Sequence, residues 1–131
     1  MGAVVDLLAD YGVAGLTHEG ITVVRTHIRM NFGYATAADV WSWGLSVVRL
    51  TDIGTQSPQP ALNPLISWMM NVQEQPTATG AAVDVLKECI YDVKSRRKIH
   101  EPGSTLGLCL TNGTAAARTV QVQARVLMAL P

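Results

Sequence analysis

The chain has 131 residues, with ten basic and ten acidic side chains, so its formal net charge is zero. That balance excludes long-range attraction to nucleic acid or to an anionic membrane and leaves only local patches for either. The length suits one domain with its own core. The charged fraction of 15% is low against roughly 25% for an ordinary soluble domain, which fits a surface partly covered by neighbours or a domain with a large buried core.

In chain order, residues 1–19 contain no lysine or arginine. Val4, Val5, Leu7, Leu8 and Tyr11 fall near helical spacing, with Gly12 and Gly15 as stops. The segment reads either as a short amphipathic helix or as an extended arm lying on a neighbour. Its start lacks the basic region of a signal peptide and carries Asp6 where a myristoylation signal has serine or threonine. No run of about 18 uncharged apolar residues follows anywhere, so no transmembrane helix is expected.

Residues 20–30 alternate as a strand, with Thr22, Val24, Thr26, Ile28 and Met30 on one face and Ile21, Val23, Arg25, His27 and Arg29 on the other. Residues 31–39 read as a loop. Residues 40–50 form a second strand, with Trp41, Trp43, Leu45 and Val47 sharing a face against Ser42, Gly44 and Ser46. Residues 51–64 and 73–80 are loops broken by glycine and proline, and the apolar stretch 65–72 is too short to decide between helix and strand. Residues 81 to about 93 fit a strand (Val83, Val85, Cys89, Tyr91, Val93) or one helix. Leu106, Leu108 and Leu110 face inward from a strand at 104–111, and Asn112-Gly113 is a hairpin signal. In the last strand, Val120, Val122, Ala124, Val126, Met128 and Leu130 share one face and Thr119, Gln121, Gln123 and Arg125 the other. A final strand in the core predicts that trimming its last six or so residues unfolds the domain. Short strands between turn-rich loops, with no long helical period, predict a single all-β domain over 1–131, an antiparallel sandwich or barrel.

Catalytic motifs are absent. His18 and His27 are nine residues apart, about 30 Å if extended at about 3.3 Å per residue, and neither these nor His100 belongs to a metal-binding spacing. Cys89 and Cys109 fit buried thiols, or a disulfide if their strands face each other. Ser42-Trp43-Gly44 and Gly103-Ser104 make no nucleophile elbow. Asp84, Glu88 and Asp92 share one face on either a helix or a strand and read as a wetted surface. Asn112-Gly113-Thr114 formally matches a glycosylation sequon, but the preferred reading is a two-residue turn without glycan. No catalytic residue, metal or cofactor is expected. The charged constellation that remains is Lys94, Arg96, Arg97 and Lys98, with Arg25, His27 and Arg29 as a second basic row. It suits a grip on acidic side chains or phosphates, because the arginine fork binds both bidentately. It also suits, and more readily, a charge guard on an exposed edge. No aromatics interleave with it, so single-stranded nucleic acid is not the expected partner.

The run Ile90 to Lys98, the segment Leu106-Gly107-Leu108-Cys109-Leu110 and the closing strand Val120 to Pro131 resemble the C-terminal hairpins of small viral structural proteins: single jelly-roll capsid, cement or decoration proteins, bacteriophage ones included. The strand pair Ile21–Met30 and Val40–Leu50 is compatible with the first hairpin of such a roll. The resemblance implies a non-enzymatic shell component of a virion, assembled in the host cytoplasm as a homo-oligomer and contacting copies of itself and a larger shell protein. The missing basic arm in residues 1–20 argues against direct genome packaging. Stiff Pro-rich loops such as 55–64 would favour docking, because they lose less entropy on binding. Two other functions fit the residues: a carbohydrate- or ligand-binding sandwich using Trp41, Trp43 and Trp68, and a small cupin-like enzyme.

Overall fold

The computed structural model describes residues 2–9, 18–35, 39–49, 68–74, 85–114 and 118–131. These form β1 (Gly2–Asp6), β2 (Thr22–Tyr34), β3 (Trp41–Arg49), β4 (Trp68–Glu74), β5 (Val85–Val93), β6 (Arg97–Lys98), β7 (Ser104–Asn112) and β8 (Val120–Ala129). All pairings are antiparallel. One sheet has the order β1-β7-β3-β4. In the other, β2 is central, with β5 and then β6 along one flank and β8 along the opposite flank. The two sheets enclose one hydrophobic core, as expected of an antiparallel sandwich.

A folded ribbon organises the sandwich. β2 runs against β8 in one sheet, and its continuation β3 runs against β7, the predecessor of β8, in the other. A two-strand ribbon therefore bends over a corner and changes sheets halfway, which makes the sandwich jelly-roll-like. Pairing persists almost up to the corner on both sides: Phe32 faces Val120 and Trp41 faces Asn112. The Asn112-Gly113 signal is thus not a hairpin. β7 and β8 lie in different sheets, and the Gly113 amide donates to the Val40 carbonyl at 3.0 Å, extending the ribbon instead of closing a turn. Gly113 also lacks the positive φ that a two-residue hairpin turn of this kind requires.

A buried polar knot clamps the corner. The Asp39 carboxylate is fully buried and accepts from the Ala35 amide at 2.8 Å, from Arg118 Nε at 2.8 and 3.0 Å, and from Thr114 Oγ1 at 3.3 Å. Asn112 Oδ1 accepts from the Thr114 amide at 2.8 Å. Around the same corner, the Gly33 amide donates to the Thr119 carbonyl at 2.9 Å and Trp41 Nε1 donates to the Gly33 carbonyl at 3.0 Å. A Cβ on residue 33 would lie 2.9 Å from that Thr119 oxygen, so the close approach needs glycine. The knot ties the end of β2, the start of β3, the end of β7 and the start of β8.

Between the sheets, Trp43 packs on Tyr91 with ring centroids 4.8 Å apart, and Phe32 on Trp41 at 5.2 Å, both pairs tilted. Such pairs add about 0.5–1.5 kcal/mol each beyond area burial. Leu106, Leu108 and Leu110 fill the same core, as do Cys89, Tyr91 and Val93 from β5, as the alternation predicts. β7 is buried on both faces, and Gly107 explains part of that. A Cβ there would come within 2.6 Å of a Val48 methyl, so its absence lets Val48 close over the strand.

Several expectations are corrected. Residues 2–6 are not helical. They pair with β7 from Gly2↔Thr111 to Asp6↔Gly107, so the arm lies on its own sheet. A helix this short gains little in water, whereas the edge of β7 supplies partners for the backbone. Asp6 Oδ1 ends the strand by accepting from the Leu8 amide at 2.9 Å and from Thr105 Oγ1 at 2.5 Å. Residues 10–17 and the loop 51–64 lie outside the described residues. β2 does not stop at Met30 but continues to Tyr34. Its alternation also breaks: Val24 has no counterpart on β8, where Val23 faces Met128 and Arg25 faces Leu127. On the opposite flank, Lys94, Ser95 and Arg96 bulge out between β5 and β6. Ile21 and Val23 therefore point inward before the bulge, and Thr26, Ile28, Met30, Phe32 and Tyr34 after it. Among the described residues the closing strand is an edge, its core-side row is only half-buried, and Leu130 is 62% exposed instead of joining the core. Residues 68–74 and 85–93 are strands.

Cys89 and Cys109 form no disulfide. Cys89 faces the core from β5, while Cys109 opposes Val4 and Gly44 on the outer side of its sheet. Burial pushes the Cys109 thiol up to about 11.

Two outcomes follow. Arg118→Ala leaves the buried Asp39 carboxylate without the Arg118 cation and should cost about 3 kcal/mol in urea unfolding; Asp39→Ala leaves a guanidinium that is 17% exposed and should cost less, and the double substitution should cost clearly less than the sum. The native protein at pH 8 should leave both thiols unmodified by a chromogenic disulfide reagent over minutes, and both should react once urea unfolds it.

Candidate functional site

The outer face of the β5-β2-β8 sheet gathers the charged residues that the sequence singles out on β2. After the Val24 bulge, alternation sends Arg25, His27, Arg29 and Asn31 outward, because Thr26, Ile28 and Met30 take the core. Register sets their neighbours. His27 lies between Asp92 on β5 and Arg125 on β8, and Arg29 between Ile90 and Gln123.

The β2 arginines are not open hands. Arg25 forks Asp92, with Nε donating to Oδ1 at 2.7 Å and Nη2 donating to Oδ2. Arg29 Nη2 donates to Glu88 at 2.7 Å. Both pairs run along the same diagonal, each arginine reaching the acid opposite the residue two places further along β2, which is within the span of a long side chain. The hydrogen bond from Arg25 holds the Asp92 carboxyl below the usual carboxylate range and raises the Arg25 guanidinium in turn. The acids read from sequence as a wetted surface are thus the partners of the basic row; Asp84 lies outside the described residues.

The second basic run is not gathered with the first. Lys94 and Arg96 sit exposed in the bulge, and Lys98 is exposed opposite Thr22. Arg97 is half-buried opposite Val23, and its Nε is buried with no hydrogen-bond partner among the described residues. His100 is exposed beyond β6.

The β8 side of the face differs. Arg125 makes no ion pair among the described residues, and beside it lie Gln121, Gln123 and the 59%-exposed Leu127. Two shallow depressions run between β2 and β8: about 190 Å³ lined by Arg29, Asn31, Gln121 and Gln123, and about 300 Å³ lined by Arg25, His27, Arg125, Val126 and Leu127. On the β5 side Ile90 is 55% exposed. The face is broad and shallow, with apolar side chains set among charges and amides. Sequence reasoning placed Arg125, Gln121 and Gln123 on a polar face but gave them no role. Their place on this face comes from adjacency to β2, which no local motif signals.

Trp41 and Trp43 are buried, so neither is placed to stack on a sugar ring; the Trp68 side chain lies outside the described residues. Among the described residues no group of histidine, cysteine and carboxylate side chains is close enough to hold a metal ion. Asn112 is buried and bonded to Thr114, which fits its role at the corner and not as a glycan acceptor. Compared with known proteins, the chain matches no family model, no curated protein and no solved structure.

The Arg25–Asp92 fork makes stability depend on acidity. The folded Asp92 titrates below its unfolded value, so its contribution is complete above the ordinary carboxylate range and disappears as pH falls through the folded value. Asp92→Asn should flatten that part of the acid limb in urea titrations and lower stability near neutrality only slightly, since an exposed pair contributes little.

Proposed function

We propose that this protein is a virion structural component that builds or decorates a shell through protein–protein contacts. The observation that carries the reading is the outer face of the β5-β2-β8 sheet. It is shallow, its two β2 arginines are already paired, and Ile90 and Leu127 stand exposed among polar groups. A face with most of its charges mutually satisfied loses little on meeting another protein surface, and exposed apolar groups rimmed by arginine and amides are common at such contacts. The jelly-roll-like ribbon and the resemblance to small viral shell proteins support the same reading.

The test is compositional. Purified particles, dissolved and quantified by mass spectrometry, should contain this chain in a fixed ratio to a larger shell protein across preparations. A chain missing from washed particles, or present in a ratio that varies between preparations, would overturn the proposal.

A further inference from the structure

The two flanks of the β2-centred sheet are unequally defended. On the β5 side, Lys87, Glu88, Asp92 and Lys94 set charges of both signs along the strand and its bulge, a common way of blocking edge-to-edge pairing. On the other side, β8 is ten residues long with the sequence VQVQARVLMA. Its one charge is Arg125, and it contains no proline. One flank pairs with β2, while on the other no strand lies among the described residues. Its core-side row, Val120, Val122, Val126 and Met128, packs on the core yet stays half-exposed, and Ala124 in that row is exposed. A long, regular, nearly uncharged edge with a half-covered apolar row is a template for another strand.

We infer that β8 pairs antiparallel with β8 of a second copy across a twofold axis, joining the two β2-centred sheets into one. This rests on the assembly reading above only in taking a copy of the chain as partner. The sequence of the strand selects the register. In a symmetric antiparallel pair, directly opposed residues lie on the same face, so a residue sits on the axis and the others pair around it. Two registers use nearly the whole of β8. One centres on Arg125 and sets two guanidinium groups against each other, which like-charge opposition disfavours. The other centres on Ala124, the smallest side chain of the strand. There Val122 meets the copy's Val126, Val120 meets its Met128, and Arg125 meets its Gln123. The exposed ends of the apolar row are covered, and the one charge faces an amide.

The test uses the full chain and three variants: Gln123→Lys, Arg125→Glu and the two combined. These positions are exposed, and unchanged melting curves will establish that each variant folds. Sedimentation velocity over a concentration series should show a dimer for the unaltered protein. Gln123→Lys sets lysine against the copy's arginine twice and should weaken dimerisation about tenfold. The combined variant sets lysine against glutamate and should restore it. A chain monomeric at every concentration, or self-association indifferent to Gln123→Lys, or failure of the combined variant to recover, would overturn the edge pairing. None of these outcomes touches the particle ratio, which decides the shell proposal separately.

Discussion

The fold depends on a carboxylate held out of water at the bend of a ribbon. A two-strand ribbon that changes sheets must break its ladder there, and broken ladders leave amides and carbonyls to be satisfied in a dry place. Asp39 takes up the Ala35 amide, Asn112 takes up the Thr114 amide, and Arg118 neutralises the buried charge. The fully buried carboxylate is the member that needs its partner most, since Arg118 keeps some access to water. The aromatic contacts Phe32–Trp41 and Trp43–Tyr91 then register one sheet over the other, starting beside the clamp. Corner and core thus fix which residues of β2 are left facing outward.

The outward face also pairs off two of the ten charges of each sign in the chain. Arg25 and Arg29 would repel along one strand if left alone; β5 supplies Asp92 and Glu88 on a consistent diagonal. What a linear reading sees as a basic row and a separate acidic row is a single ladder of pairs. Of the other cations on this sheet, Lys94, Arg96 and Lys98 lie exposed at and beside the β5–β6 bulge and Arg125 lies exposed on β8, towards the margins of the sheet.

Where the sequence was legible, the cause was plain alternation. β3, β7 and β8 keep a period of two from end to end, and Trp41, Trp43, Leu106, Leu108 and Leu110 fall inward as that period demands. It failed where one residue changes the count. The Val24 bulge carries no compositional mark, yet it reverses the face of everything before it. Val4, Val5, Leu7 and Leu8 fit a helical turn as well as they fit a strand ending in a turn, and only the presence of β7 decides. Asn112-Gly113 has the local chemistry of a hairpin but sits at a sheet crossing. Asp39 and Arg118 are far apart in sequence, and no spacing rule joins them before the ribbon is known. The ion pairs of the outer face likewise need the register, which is a property of two strands together.

The same ribbon sets an order of events during synthesis. Phe32 has its ladder partner at Val120, and Trp41 has its own at Asn112. β2 and β3 therefore leave the ribosome long before the strands that complete them, and contacts so remote in sequence form late and slowly. Through that interval β2 presents Ile28, Met30 and Phe32 with no cover. Arg25, His27 and Arg29, interleaved with that apolar row, then act as gatekeepers that hinder nascent chains from stacking on one another.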